Sequence, residues 1–130
     1  MENIFKKIIS KEIKSHIIYE DEYFLAFLDI FPLAKGHTLV IPKKEVNKLF
    51  DLDIETYQNL MLLSHKLANS LEKAVPCLRV GMSVIGLEVP HAHVHLVPLN
   101  NMNDLNFMRS KLIFTNEELQ EIATTIKNYI

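Results

Sequence analysis

VPHAHVHLVP, residues 89–98, sets three histidines at every second position of an otherwise apolar run. Prolines bound the run at positions 90 and 98 and valines recur within it, so it reads as a β-strand. Successive strand side chains point to opposite faces of a sheet. Val89, His91, His93, His95 and Val97 then share one face, and Ala92, Val94 and Leu96 share the other. The apolar face packs on a core. The histidine face needs a chemical reason, because half of the chain's six histidines stand on it.

Working outward, RVGMSVI (79–85) is a further strand just before this one, and HTLVIP (37–42) is a short buried strand ended by Pro42. HIIYE (16–20) and YFLAFLD (23–29) flank Asp21-Glu22 as a hairpin. Asn3 caps a short helix in which Ile4, Phe5, Ile8 and Ile9 form one stripe. Asp53 caps a long helix running to about Ala74, with Leu60, Leu63, Leu67 and Leu71 on one side. Pro76 stops it, since proline cannot continue the hydrogen-bond ladder. Thr115 and Glu118 form a capping box that opens a last helix, with Leu119, Ile122, Ile126 and Ile130 aligned. Helices and adjacent strands in this order predict an α+β domain with an antiparallel sheet, occupying residues 1–130 as one unit.

Composition removes several function classes. The net charge is −2 with Lys and Arg spread along the chain, which is no footprint for a general nucleic-acid binder. MENIFKKIISKEIKS, residues 1–15, carries charges throughout and lacks the apolar core of a secretory signal. No uncharged stretch approaches the roughly 18 residues of a membrane span. Cys77 is the single cysteine, so an internal disulfide or a cysteine-based zinc site cannot form. A cytoplasmic protein without a membrane partner is the expectation.

Three readings of the histidine face compete. Accidental, solvent-facing histidines suit isolated cases such as His16 and His65 but not three in strict alternation. A metal site is awkwardly served, since the outer pair of histidines stands about 13 Å apart along a strand at roughly 3.3 Å per residue. A ligand from another strand, such as His37, would be needed, and no carboxylate shares the face to orient one. Phosphate chemistry fits best. A phosphoryl group spreads charge over several oxygens, so one neutral imidazole can attack phosphorus while its neighbours stabilise charge or protonate the leaving group. Crowding of the three rings also holds down their charge near neutrality, which preserves a neutral nucleophile.

HAHVHLV (91–97) resembles the histidine triad, His-φ-His-φ-His-φ-φ, that names the HIT family of nucleotide hydrolases and transferases. IFKKIISKEI (4–13), YEDEYFLAFLDIFPLAKGHTLVIPKK (19–44) and GLEVPH (86–91) are similar to the family's blocks and stand in the same order. The resemblance spans roughly residues 3 to 98, and the triad together with GHTLVIP makes it specific. It points to the branch of small nucleotide-binding hydrolases, with a HIT-like fold of about five antiparallel strands, one long helix and one C-terminal helix.

The resemblance implies roles for residues of this chain. His93 is the expected nucleophile, attacking an α-phosphate to form a nucleotidyl-histidine that water then cleaves. His95 is expected to contact phosphate and leaving group, His91 to orient the neighbouring ring through its carbonyl, and His37 to support the triad from another strand. Asp29 is placed to accept hydrogen bonds from ribose hydroxyls, which suits a carboxylate. Ile8, Ile13, Phe27 and Ile30 match positions that line the base slot. Lys43 and Lys44 read as a solvated face.

The chain also departs from the family pattern. The loop before the triad is short, and Leu87 replaces a usual glutamine, so a phosphate donor is missing. Ser83 and the backbone around Gly86 are the candidate replacements. Glu88 would repel phosphate unless the strand already runs through it and turns it to the opposite face. Lys6 stands at the first cysteine position of zinc-binding relatives, so neither a structural metal nor a cofactor is expected. The implied function is hydrolysis of a nucleoside phosphoramidate or dinucleoside polyphosphate, with a purine nucleotide as partner and a homodimer as the assembly. A regulatory nucleotide-binding module and a histidine-ligated metalloprotein are the alternatives. The segment LNNMNDLNFMRSKLIF (99–114) carries no readable motif.

Overall fold

A computed structural model describes residues 3–130. Helix α1 (Ile4–Ile9) is followed by strands β1 (Ile17–Glu20), β2 (Phe24–Leu28) and β3 (Thr38–Pro42), then by helix α2 (Ile54–Ala74). Strands β4 (Arg79–Ser83) and β5 (Val94–Leu99) and helix α3 (Asn116–Lys127) complete the order. The strands form one antiparallel sheet ordered β1-β2-β3-β5-β4. It is the α+β arrangement expected, a five-stranded antiparallel sheet with one long and one C-terminal helix. Among the described residues no helix is long and apolar enough to cross a membrane.

The caps explain where the helices begin. Asp53 accepts from the Thr56 amide, and Thr115 and Glu118 exchange bonds reciprocally at the start of α3. Asp21 makes the β1–β2 turn by accepting from the amides of Tyr23 and Phe24. Leu60, Leu63, Leu67 and Leu71 of α2 and Leu119, Ile122 and Ile126 of α3 are buried on one face of the sheet, against Ala26, Val40, Val94 and Leu96. Ile130 lies beyond the end of α3 and is exposed, so the aligned stripe stops at Ile126.

The opposite face is covered by α1. Phe5 and Ile8 pack there on Leu25, Phe27, Leu39 and Ile41, while Ile4 turns outward and leaves the stripe. Pairing of Leu39 with His95 puts that histidine on this second face.

Two strand boundaries differ from expectation. Strand β4 stops at Ser83, and β5 begins at Val94, so Val89, His91 and His93 precede the ladder. The reason lies on the neighbouring strand. In the register Val40↔Val94, the next opportunity to pair falls at Pro42, which has no N–H to donate. The backbone leaves the sheet there and the Ala92 amide donates instead to the Val46 carbonyl. Alternation survives the loss of pairing, because Ala92, Val94 and Leu96 still enter the helix-side core.

Candidate active site

The four histidines expected in the site come together, and their hydrogen bonds decide which nitrogen of each ring carries a proton. His91 Nε2 lies 2.7 Å from the Pro42 carbonyl oxygen, which only accepts, so Nε2 is protonated. His93 Nδ1 lies 2.6 Å from the His91 carbonyl oxygen, so His93 donates through Nδ1 and keeps a bare lone pair on Nε2. His37 Nδ1 accepts from the Leu33 amide at 3.0 Å, which places the proton on its Nε2. That N–H donates to His95 Nδ1 at 3.0 Å, so His95 in turn carries its proton on Nε2. Two neighbouring rings with centroids 4.9 Å apart therefore present opposite characters, a lone pair on His93 and an N–H on His95.

Burial keeps these rings neutral. All four are buried, and loss of hydration lowers the pKa of each below the ordinary histidine value. His37 is pushed down to about 4, by burial first and then by the charge of Lys111 and the neighbouring His93. His95 is pushed down to about 3, by burial and then by His37, His93 and Lys111. A neutral His93 is what a nucleophile requires.

His93 and His95 line a cavity of about 590 Å³ whose walls are mainly apolar. Ile8, Ile13, Phe27 and Ile30 line it, as do Asp29 and Gly86. His37 and His91 stand behind the wall and act through His95 and His93. Ser83, the expected donor, faces the same side as its register partner His95 but does not line the cavity. Gly86 has a φ of +76°, a backbone conformation open mainly to glycine, with free space where a side chain would stand. Asp29 accepts from the Phe31 amide through one oxygen, and its other oxygen lies 3.8 Å from His37 Nε2. Burial raises the Asp29 pKa, opposed by the Phe31 N–H and by Lys111 and reinforced by Glu88.

Glu88 lies on the cavity wall, because the strand begins too late to turn it away, and Leu87 is 86% exposed at the rim. The Glu88 charge works against the effect of burial on His93. Lys43 and Lys44 stand elsewhere, paired with Glu20 and Asp53. His16 bonds to Asn116 and Gln120 of α3 and is structural.

Sequence reasoning missed the segment after β5. Phe107 and Met108 line the cavity, and the Phe107 ring packs edge-on against His95 at 4.8 Å. Arg109 ties this segment down by donating to the Leu33 carbonyl and pairing with Asp104, and the Leu112 amide donates to the Pro32 carbonyl. No local pattern signals these contacts, which join positions some 76 residues apart.

The structure also bears on a metal. Asp29, His37 and His95 offer ligand atoms within 4.8 Å of one another. A histidine ligates through an unprotonated nitrogen. The Leu33 amide occupies His37 Nδ1 and thereby keeps a proton on Nε2, so this trio is organised as a hydrogen-bond relay rather than as a ligand set. His91 spends Nε2 on the Pro42 carbonyl and Nδ1 on Asn3, while His93, whose Nε2 is bare, stands outside this trio.

Comparison with known proteins adds four findings. The HIT domain pattern matches residues 10–102. An uncharacterized HIT-like protein of Borreliella burgdorferi is 36% identical over 131 residues, covering 95% of this chain and 94% of that one. Adenosine 5'-monophosphoramidase HNT1 of Saccharomyces cerevisiae is 40% identical over 96 residues, 73% of this chain and 61% of the yeast enzyme. Among solved structures, a Hit-like protein from Bartonella henselae superposes with a TM-score of 0.87 at 34% identity, covering 99% of this chain and 96% of that one.

Proposed function

The chain belongs to the HIT family, and from that premise we propose that it hydrolyses a purine nucleoside monophosphate joined to a leaving group, through a covalent intermediate on His93. One observation carries the reading: a bare Nε2 on His93 beside an Nε2–H on His95, both in the wall of an apolar cavity that also holds Asp29. The base occupies the slot between Ile8, Ile13, Phe27 and Ile30, and the ribose hydroxyls donate to the free oxygen of Asp29. The monophosphoramidase activity for which the yeast relative is named supports a phosphoramidate as the substrate class; a dinucleoside polyphosphate would meet the same two rings.

The steps follow from the tautomers. His93 Nε2 forms a bond to the α-phosphorus, and the bond from phosphorus to the leaving nitrogen breaks, with the electron pair departing on nitrogen. The positive charge that grows on His93 is drawn through Nδ1–H onto the His91 carbonyl. His95 enters neutral, so the proton it passes to the leaving nitrogen is the one that its tautomer already carries on Nε2. The His37 Nε2–H, which donates to His95 Nδ1, stabilises the negative charge left on that ring until it recovers a proton. Water returns that proton to His95 as its oxygen attacks phosphorus, and the bond to His93 breaks to release the nucleoside monophosphate.

Exposed apolar residues Leu62 on α2 and Leu78 and Met82 at the β4 edge support a homodimer through that edge and helix. Leu87 and Glu88 favour a second reading, in which the site binds nucleotide with little turnover. Rapid-quench labelling with an adenosine phosphoramidate separates the two. A labelled adduct in the wild type, chased by water and absent in His93→Ala, supports hydrolysis. Nucleotide binding without adduct or turnover would overturn it in favour of the binding module.

A further inference from the structure

Asn3 does two jobs with one side chain. Its Oδ1 accepts from the amides of Phe5 and Lys6 at 3.0 and 3.4 Å and so caps α1. Its Nδ2 lies 2.9 Å from His91 Nδ1 and 3.4 Å from a Glu45 carboxylate oxygen. The second job has a chemical requirement behind it. His91 must keep its proton on Nε2 to satisfy the Pro42 carbonyl, which leaves Nδ1 as a bare acceptor on a ring that is 0% exposed. Water does not reach a fully buried nitrogen from bulk, so a protein donor has to serve it, and the amide of Asn3 does so. The His91 carbonyl then receives the Nδ1–H of His93. Asn3 thus holds the ring, and His93 the carbonyl, of one and the same residue. The helix that Asn3 caps also delivers Phe5, whose ring packs edge-on against His93 at 4.9 Å and His91 at 6.0 Å.

We propose that Asn3 is a positioning residue for the nucleophile, holding His91 neutral in its Nε2–H tautomer so that no charge on that ring opposes the positive charge that attack develops on His93. The inference rests on the assignment of His93 as nucleophile. The charged groups around His91 are Glu45, which favours its protonation, and Lys6, which opposes it and pairs with Glu45 at 3.3 Å. His93 is the neighbouring titratable ring, and a charge on His91 opposes one on His93. Attack on phosphorus puts positive charge on His93, so a cationic His91 would oppose the step directly.

Asp at this position separates the two jobs. A carboxylate caps a helix at least as well as an amide, and its charge suits a helix N-terminus. It cannot donate, so it would meet His91 Nδ1 as acceptor against acceptor and draw a second proton onto the ring.

The test compares wild type, Asn3→Asp and Asn3→Ser, the last keeping a cap with neither charge nor reach. Long-range proton–nitrogen spectra of histidine-labelled protein read each tautomer without any need for turnover. The expected result is a neutral, Nε2-protonated His91 in the wild type at pH 7 and a cationic His91 in Asn3→Asp. The acid limb of the kcat/KM profile on adenosine phosphoramidate should move up by about one pH unit, and kcat/KM should fall on the order of tenfold at pH 7, the effect of about one pK unit at a neighbouring ring. Asn3→Ser should lose activity without acquiring the new acid limb. Urea midpoints near that of the wild type would show the cap intact. A neutral, unchanged His91 in Asn3→Asp would overturn the proposal whether or not the protein turns over. A shifted His91 in a protein without turnover would sustain Asn3 as the tautomer-setting residue and reject the hydrolase reading alone.

Discussion

Lowering the pH from 7 to 5 should destabilise the fold through the buried site histidines, and His37 allows the effect to be isolated. Its pKa is about 4 in the folded chain against an ordinary 6.5, and that of His95 is about 3. A lowered folded pKa means that the unfolded chain binds more protons, so stability is fully present above pH 6.5 and is lost as the pH falls toward 4. Integrating proton uptake by the unfolded ring between pH 7 and 5 gives a loss of about 2 kcal/mol for each ring that stays neutral when folded. His37 and His95 together contribute roughly 4 kcal/mol, a large share of the stability of a small domain. Glutamine at position 37 keeps one donor and one acceptor but does not titrate. Urea unfolding followed by circular dichroism at both pH values should therefore show His37→Gln losing about 2 kcal/mol less than the wild type. Carboxylates titrate equally in the two proteins and cancel in the comparison. Equal acid losses in wild type and variant would refute the reasoning, because His37 would then be charging freely inside the fold.

Three further outcomes follow from the geometry. Asp29→Asn should raise KM about tenfold for a ribonucleotide substrate, the scale of one hydrogen bond to a charged group, while a 2',3'-dideoxy analogue should show no difference between the two proteins. Leu87→Gln should raise kcat/KM roughly threefold to tenfold if a missing phosphate donor limits the site, and an unchanged value would remove Leu87 from that role. Gly36→Ala should destabilise by about 2 kcal/mol or more in urea melts. Gly36 has a φ of +90°, and a Cβ there would stand 2.9 Å from Val75 Cγ2 and 3.0 Å from Leu71 Cδ1; a variant as stable as wild type would contradict that crowding.

The helices and most strands were legible because their determinants are local. Asp53, Thr115 and Glu118 announce helix starts within four residues of the bonds they make. Leu25 through Leu28 and Thr38 through Pro42 are apolar runs of strand length with turn residues at their ends. The onset of β5 was not legible, since it depends on a proline of another strand rather than on any residue of its own. Residues of the site were recognisable by type and by resemblance, but their proton positions were not. The resemblance implied the part of the His91 carbonyl, but the carbonyl of Pro42 and the amide of Leu33 set the other rings, and those backbone groups leave no mark in a sequence. Asn3 shows both sides: its cap was readable, and its bond to a histidine 88 positions away was not. Ser83 has the chemistry of a phosphate contact and shares the face of its register partner His95, and only the lining of the cavity shows that it stays outside the wall.

The segment carrying Phe107 and Met108 has a consequence for how such a protein changes over generations. His93 is held by the His91 carbonyl and His95 by the ring of His37, which the Leu33 amide holds in turn, and none of these groups belongs to the rim. The rim is built from a loop anchored at Arg109, where Met108 lines the cavity and is 92% exposed. Mutations at the rim therefore vary what the cavity admits while leaving the proton arrangement behind it intact. Under the proposed hydrolysis, selectivity and chemistry would sit on separately mutable parts of the chain, and a lineage could explore new leaving groups without first losing the reaction.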